Sequence, residues 1–352
     1  MSCPVIFVPG LGCSKLSING NLVIPTAKGG ISNLKLDSNG NDLKGNVVEA
    51  QDILLDISSD VPVYSPLVNF FVNHGFVFQN AVYSNHASKN TLYAFPYDFR
   101  KDIRIASNSL EKFVNHVMKQ SGSDKVILIS HSMGNLVSLD FTLRQRNCNL
   151  VSKLICIAPP FDGVPQTYAS LRYGMEFPMP KTAPTGLGTS EFKELIVNWQ
   201  GLYQLLPFNH YDDASNGFYC KQNENISLRE IYDASDSLNK NMISRAKSWK
   251  EELVHKWEES DFENIHLILG RLAENKTICK IHEDDTMESG VSFGMCAGDG
   301  TIPIKSCEEI SPDPGMLPII HKYVYEGIDA EHNALTRNPQ VLQEMLSIVN
   351  QG

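Results

Sequence analysis

The 352-residue sequence predicts an α/β protein built on a mostly parallel sheet. Short apolar, β-branched runs recur along the chain, and amphipathic helical stretches separate several of them. Strands buried on both faces read as continuous apolar runs, and helices between them cover the two faces of a parallel sheet.

The strand-like runs are VIFV at 5–8, TLYAF at 91–95, KVILIS at 125–130, KLICIA at 153–158, IHLIL at 265–269 and KYVY at 322–325. In SNSLEKFVNHVMKQ (107–120), Leu110, Phe113, Val114 and Val117 fall at i, i+3, i+4 and i+7, one face of a helix. NLVSLDFTLRQR (135–146) aligns Leu136, Leu139 and Leu143 in the same way, and PQVLQEMLSIVNQ reads as the last helix. In YSPLVNFFVNHGFVF (64–78), Leu67, Phe70, Phe71 and Val72 define a helix face that either meets lipid or packs in the core. Core packing is the favoured reading there.

The alternation fails between about 170 and 262, where scattered prolines and PKTAPTGLGTS (180–190) precede polar helical segments such as SLNKNMISRAKSWKEELVHKW. This stretch follows one core strand and precedes the next, so it reads as an inserted cap. The expected organisation is a core over 1–169 and 263–352 with a cap over 170–262. The Asn-, Asp-, Gly- and Ser-rich region from about 30 to 66 is read as a lid, because a long irregular segment inside a compact domain is usually functional.

Composition narrows the function classes. The formal net charge of −10 disfavours a nucleic-acid partner and gives no bulk attraction to anionic lipid surfaces. No run of 18 apolar residues marks a membrane span. MSCPVIFVPG has no basic n-region and runs straight into a core strand, so the expectation is an intracellular protein, cytoplasmic or peripheral to a membrane. A lysosomal or secreted location would require a leader removed before this numbering begins. The eight cysteines form no C-x-x-C pair; one bridge among Cys279, Cys296 and Cys307 is allowed, with no pairing deducible.

The chemistry centres on VILISHSMGNLV (126–137). Ser130-His131-Ser132-Met133-Gly134 nearly matches G-x-S-x-G, in which a nucleophilic serine sits on a strained turn where strand and helix crowd together. The residues two before and two after must then be small. Gly134 meets the rule, and Ser130 replaces the first glycine with a small polar side chain. Ser132 needs a histidine as base and a carboxylate to orient it, in the chain order Ser, Asp, His. CAGDGTIPIKS follows IHLIL and offers Asp299; EGIDAEHNALT follows KYVY and offers His332, just before an expected helix. His321 competes for the base but precedes its strand. The oxyanion donors are expected at the N–H groups of Met133 and, in VPGLGCSKL, Leu11.

With these parts in order, VPGLGCSKL, AFPYDFRKD (94–102), SHSMGN, IAPPFDGVP (157–165), GLYQLLP (201–207), AGDGTIP and AEHNAL together resemble the lecithin:cholesterol acyltransferase family. That family includes lysosomal phospholipases, phospholipid:diacylglycerol acyltransferases and bacterial lipase-like members. The resemblance implies an α/β-hydrolase fold with a cap and lid, a Ser132–Asp299–His332 triad, and oxyanion donation from Leu11 and Met133. It also implies removal of an acyl chain from a glycerolipid to water or an alcohol, with no metal or organic cofactor. The substrate is then a lipid met at a membrane or lipid-particle surface, and the cap piece NWQGLYQLLPF (198–208) offers Trp199, Tyr203 and Leu205 as an interfacial or acyl-lining, substrate-binding surface. Two departures stand out: the elbow reads S-H-S-M-G-N rather than G-H-S-M-G-G, and Tyr97-Asp98-Phe99-Arg100 replaces Y-D-W-R. The rivals are a carboxylesterase or triacylglycerol lipase without transfer activity and a catalytically silent binding protein of the same fold. A serine-reactive phosphonate separates them: labelling is expected to vanish in Ser132→Ala and persist in Ser130→Ala, read by intact-protein mass spectrometry.

Overall fold

The computed structural model describes residues 3–25, 31–58, 60–80, 90–144, 147–175, 189–208, 217–222, 224–227, 230–232, 238–260, 262–283, 290–308 and 320–351. Most of PKTAPTGLGTS lies outside these residues. Seven parallel strands form the central sheet: β1 (Val5–Val8), β2 (Val77–Asn80), β3 (Thr91–Ala94), β4 (Val126–His131), β5 (Val151–Ile157), β6 (Ile265–Arg271) and β7 (Ile320–Glu326). Their spatial order is β7-β6-β5-β4-β1-β3-β2. Every side chain of β1 and β4 is buried, which is why these segments show no polar alternation. The expected strands are all present. β2 extends the sheet at its edge, after the helix Ser65–Asn73 buries Leu67, Val68 and Phe71 and leaves Val72 exposed. That segment packs as core.

Helix α1 (Ile103–Ser121) starts where the Asp102 carboxylate accepts the Arg104 N–H and stops at Gly122, whose φ of 63° suits a residue without a β-carbon. It buries Leu110, Val114 and Val117. Helix α2 (Gly134–Thr142) is buried along its whole length, against β1, β4 and β5. Helix α3 (Lys240–Glu258) lies in the expected cap, and α4 (Pro339–Asn350) closes the fold with Asn338 as its N-cap. No helix of the described residues is long and apolar enough to cross a membrane.

Three smaller sheets among the described residues were not legible in the sequence, the least of them a pairing of Asp56–Ser58 with Val61–Pro62. Ser14–Ile18 pairs antiparallel with Asn21–Leu22 and Val48–Ile53, so ordered strands run through part of the stretch read as a lid. Thr277–Glu283 pairs with Val291–Cys296 and Tyr219–Lys221, and the last of these also pairs with Glu224–Asn225. All eight cysteines are free thiols, including Cys279, Cys296 and Cys307.

A buried cation joins these layers. Arg100 is fully buried and donates to Asp98 (2.6 and 2.9 Å), Asp42 (2.7 Å) and the Leu34 carbonyl (3.0 Å). Lys101 adds Asp42 (3.0 Å) and the Gly40 carbonyl (3.1 Å). From the other side, the Trp199 indole reaches the Leu34 carbonyl, Asn198 reaches that of Leu36, and Asn239 reaches that of Ser38. Residues 34–42 are thereby stapled between the sheet and the 198–245 region. Arg100→Met would strip this cluster of its cation and is expected to cost about 3 kcal/mol, since breaking a buried pair leaves its partners uncompensated. Urea unfolding should show a lower midpoint with an unchanged slope.

Candidate active site

At the end of β4 the backbone of Ser132 turns into the left-handed region, φ 52°, and Met133 leads straight into α2. A non-glycine residue there costs roughly 1–3 kcal/mol and persists only where the surroundings hold it. Here they do. The Ser132 N–H donates to the Ile157 carbonyl (2.9 Å), and the buried Asn135 amide donates to the carbonyls of both Ser132 and Ile157 (2.9 Å each). A β-carbon at Gly134 would fall 2.5 Å from the carbonyl oxygens of Val8 and Pro9, so the motif's last position admits only glycine. The Ser130 Oγ lies 2.6 Å from Ser138 Oγ on α2, which explains how serine stands where glycine was expected. Met133 and the residues of α2 are buried while Ser132 is only half-buried.

The loop after β1 passes directly against this turn. A β-carbon at Gly10 would sit 3.0 Å from Ser132 Cβ. The Cys13 N–H closes the loop onto the Gly10 carbonyl at 3.2 Å, with Leu11 inside the turn. The structure therefore brings the loop that carries Leu11 against Ser132, the residue that precedes Met133.

Asp299 and His332 meet at 2.7 Å between Oδ2 and Nδ1, and are 1% and 4% exposed. The other carboxylate oxygen accepts the N–H groups of Thr301 (2.9 Å) and Ile302 (2.7 Å), while the Asp299 carbonyl accepts the His332 N–H (2.9 Å). With Asp299 on Nδ1, the imidazole leaves Nε2 as its basic nitrogen. The route to Asp299 differs from the expected one. Strands Thr277–Glu283 and Val291–Cys296 intervene after β6, and the chain returns so that Asp299 packs on Gly270 near the carboxyl end of β6. His332 also differs: a series of turns, not a helix, follows it before α4. His321 lies at the start of β7, at the opposite end of the sheet, stacked on His266 at 4.7 Å.

His131 links the elbow to the Asp–His pair. Its ring lies 4.8 Å from that of His332, and its Nε2 lies 3.2 Å from the His332 carbonyl oxygen. Its other nitrogen meets the Tyr64 hydroxyl at 2.8 Å. No sequence signal assigns a role to Tyr64, Asn135 or His131. Tyr64 carries no motif, and Asn135 registered only as a departure from a glycine.

Trp199, Tyr203 and Leu205 are 3%, 0% and 2% exposed. Trp199 packs edge-on against Phe99, and the Tyr203 hydroxyl donates to the Val197 carbonyl and accepts the Asn239 N–H. Between them, Gly201 is pressed against the Met133 side chain and the Phe99 carbonyl, which sets this segment against the elbow.

A serine on a left-handed strand-to-helix turn at the end of a central parallel strand, with an Asp–His pair at the ends of later strands, defines an α/β-hydrolase. The chain belongs to the lecithin:cholesterol acyltransferase family, whose model matches residues 67–253, just over half of it. It is 31% identical over 121 residues to the Arabidopsis thaliana protein named phospholipase A(1) LCAT3, covering 33% of this chain and 27% of that protein. It is 25% identical over 147 residues to the lysosomal phospholipase A and acyltransferase of Rattus norvegicus, covering 39% and 33%. The chain thus spans about a third or less of the length of these curated relatives. A chain in the crystal structure of the Tle4-Tli4 complex shares the fold over 99% of both chains, with a TM-score of 0.63 and 14% identity.

Asp299→Asn would keep the packing but favour the wrong imidazole tautomer. Turnover of a p-nitrophenyl ester is expected to fall on the order of 10³–10⁴-fold with an unchanged circular dichroism spectrum.

Proposed function

We propose that the chain is a serine-dependent lipid acyl hydrolase and O-acyltransferase that cleaves an acyl ester of a glycerophospholipid. Ser132 is the nucleophile, His332 the general base and Asp299 its orienting carboxylate. His332 Nε2 accepts the Ser132 proton as Oγ attacks the ester carbonyl, and the N–H groups of Leu11 and Met133 stabilise the oxyanion. The lyso-product leaves with a proton from His332. Water or an alcohol, deprotonated by the same histidine, then takes the acyl group from the serine.

The observation that carries this reading is the Asp299–His332 pair, fixed by amides on one side and joined on the other to the turn that bears Ser132. The phospholipase and acyltransferase names of the curated relatives support the substrate class. We place the enzyme at a membrane or lipid-particle surface, where its substrate resides. The division into a core at 1–169 and 263–352 and a cap at 170–262 belongs to the same reading. In its favour, each strand of the central sheet falls outside the cap. Trp199, Tyr203 and Leu205 enter as the cap's contribution to the acyl site, supported by the seating of Gly201 on Met133.

Phosphatidylcholine liposomes doped with a long-chain alcohol, analysed by mass spectrometry, test the reaction. The expected products are lysophosphatidylcholine and acylated alcohol, both absent with Ser132→Ala. Free fatty acid without acylated alcohol would reduce the assignment to a hydrolase. Hydrolysis of soluble esters alone would move it to a carboxylesterase.

A further inference from the structure

The active site draws on loops far apart in sequence, and one buried chain of hydrogen bonds runs through three of them. The Gly10 N–H donates to the Tyr64 hydroxyl oxygen at 2.9 Å. The Tyr64 hydroxyl lies 2.8 Å from His131 Nδ1, and His131 Nε2 lies 3.2 Å from the His332 carbonyl oxygen. Tyr64 and His131 are 1% and 2% exposed. The ends of the chain dictate where its protons sit. A carbonyl oxygen only accepts, so His131 Nε2 carries a hydrogen. A backbone N–H only donates, so the Tyr64 oxygen accepts from Gly10 and its own hydrogen is free to point at His131 Nδ1.

That pattern fits one species, the neutral imidazole protonated at Nε2. Burial, reinforced by His332 alongside, holds the His131 pKa well below the ordinary histidine range. The other titratable groups facing this pair are Cys13 and Tyr97, beside Tyr64, and burial pushes both up and keeps them uncharged. Packing alone would be served by an apolar side chain at 131. It would leave the buried Gly10–Tyr64 pair without its acceptor and the His332 carbonyl without its donor, at about 1–3 kcal/mol for each orphaned group.

We infer that Tyr64 and His131 are positioning residues: a fixed-tautomer bridge that registers the oxyanion loop and the base loop around Ser132. Asp299 holds His332 through Nδ1 and the backbone N–H, and the bridge supplies a third tether through the carbonyl. The same ring braces, through Tyr64, the loop that carries Leu11. The inference rests on the triad reading above, but its first test does not.

That test is long-range ¹H–¹⁵N correlation spectroscopy of the full chain labelled with ¹⁵N-histidine, the His131 signals being those lost in His131→Asn. The expected result is a single neutral Nε2–H tautomer across roughly pH 6 to 8, where an ordinary histidine titrates, unchanged in Ser132→Ala. An Nδ1–H form, a mixture or a protonated ring would overturn the bridge, whatever the catalytic role of Ser132. Kinetics on a p-nitrophenyl ester test the positioning role. Tyr64→Phe is expected to lower kcat on the order of tenfold to a hundredfold with KM unchanged, since small misplacements of reacting groups cost that much. His131→Asn keeps an acceptor for Tyr64 but cannot reach the His332 carbonyl, whereas His131→Gln extends a donor toward it and should recover part of kcat. Unchanged kcat in Tyr64→Phe, or no recovery from Asn to Gln, would overturn the role. Failure of the triad reading would show separately, as phosphonate labelling that survives Ser132→Ala.

Discussion

The geometry at the heart of this molecule depends on keeping one serine in a backbone conformation that it disfavours. The left-handed turn at Ser132 is what lifts a side chain out of the packed β4–α2 junction. Its hold is shared. The Ile157 carbonyl receives both the Ser132 N–H and the Asn135 amide, and the next residue, Ala158, is itself at φ 46°. The strained turn at the end of β4 is therefore matched by a second at the end of β5, with one carbonyl serving both. Gly134 contributes by absence, since any side chain would strike the backbone that follows β1.

From that turn outward the site is built of backbone contacts more than side-chain ones. Asp299 spends one carboxylate oxygen on two amides, which aims the other at His332. A β-carbon at Gly10 would crowd Ser132 Cβ at 3.0 Å, and one at Gly201 would strike the Phe99 carbonyl and the Met133 side chain.

How much of this could be read in the sequence follows from which interactions are local. The strands from VIFV to IHLIL were legible because they are buried on nearly every side chain, KYVY because its aromatic and β-branched residues mark an edge strand even though its side chains are exposed or half-buried, and the elbow because its steric rule spans only five residues. Asp299 and His332 were legible as ordered positions in the chain, while their route was not. The strands Thr277–Glu283 and Val291–Cys296 are only partly buried and lack a long apolar run, so the excursion after β6 left no clear pattern. Tyr64 was invisible for a plainer reason. Its partners are Gly10 and His131, 54 and 67 residues away, and nothing in YSPLVN announces them. The region read as an irregular lid contributes one strand, Val48–Ile53, to a three-stranded sheet begun before it, and that strand's alternation is a weak signal beside so many turn residues.

The Arg100 cluster makes residues 34–42 part of a composite body. A flap hinged at its ends opens alone; this segment does not have that freedom. Its carbonyls are held from one side by Arg100 and Lys101 and from the other by Trp199, Asn198, Asn239 and Arg245. Pulling it away would strip the guanidinium of two of its acceptors and break the tie to the Trp199 segment that rests on Met133. Residues 34–42 and the segment resting on Met133 are consequently one joined assembly, with the buried Arg100 guanidinium at the junction.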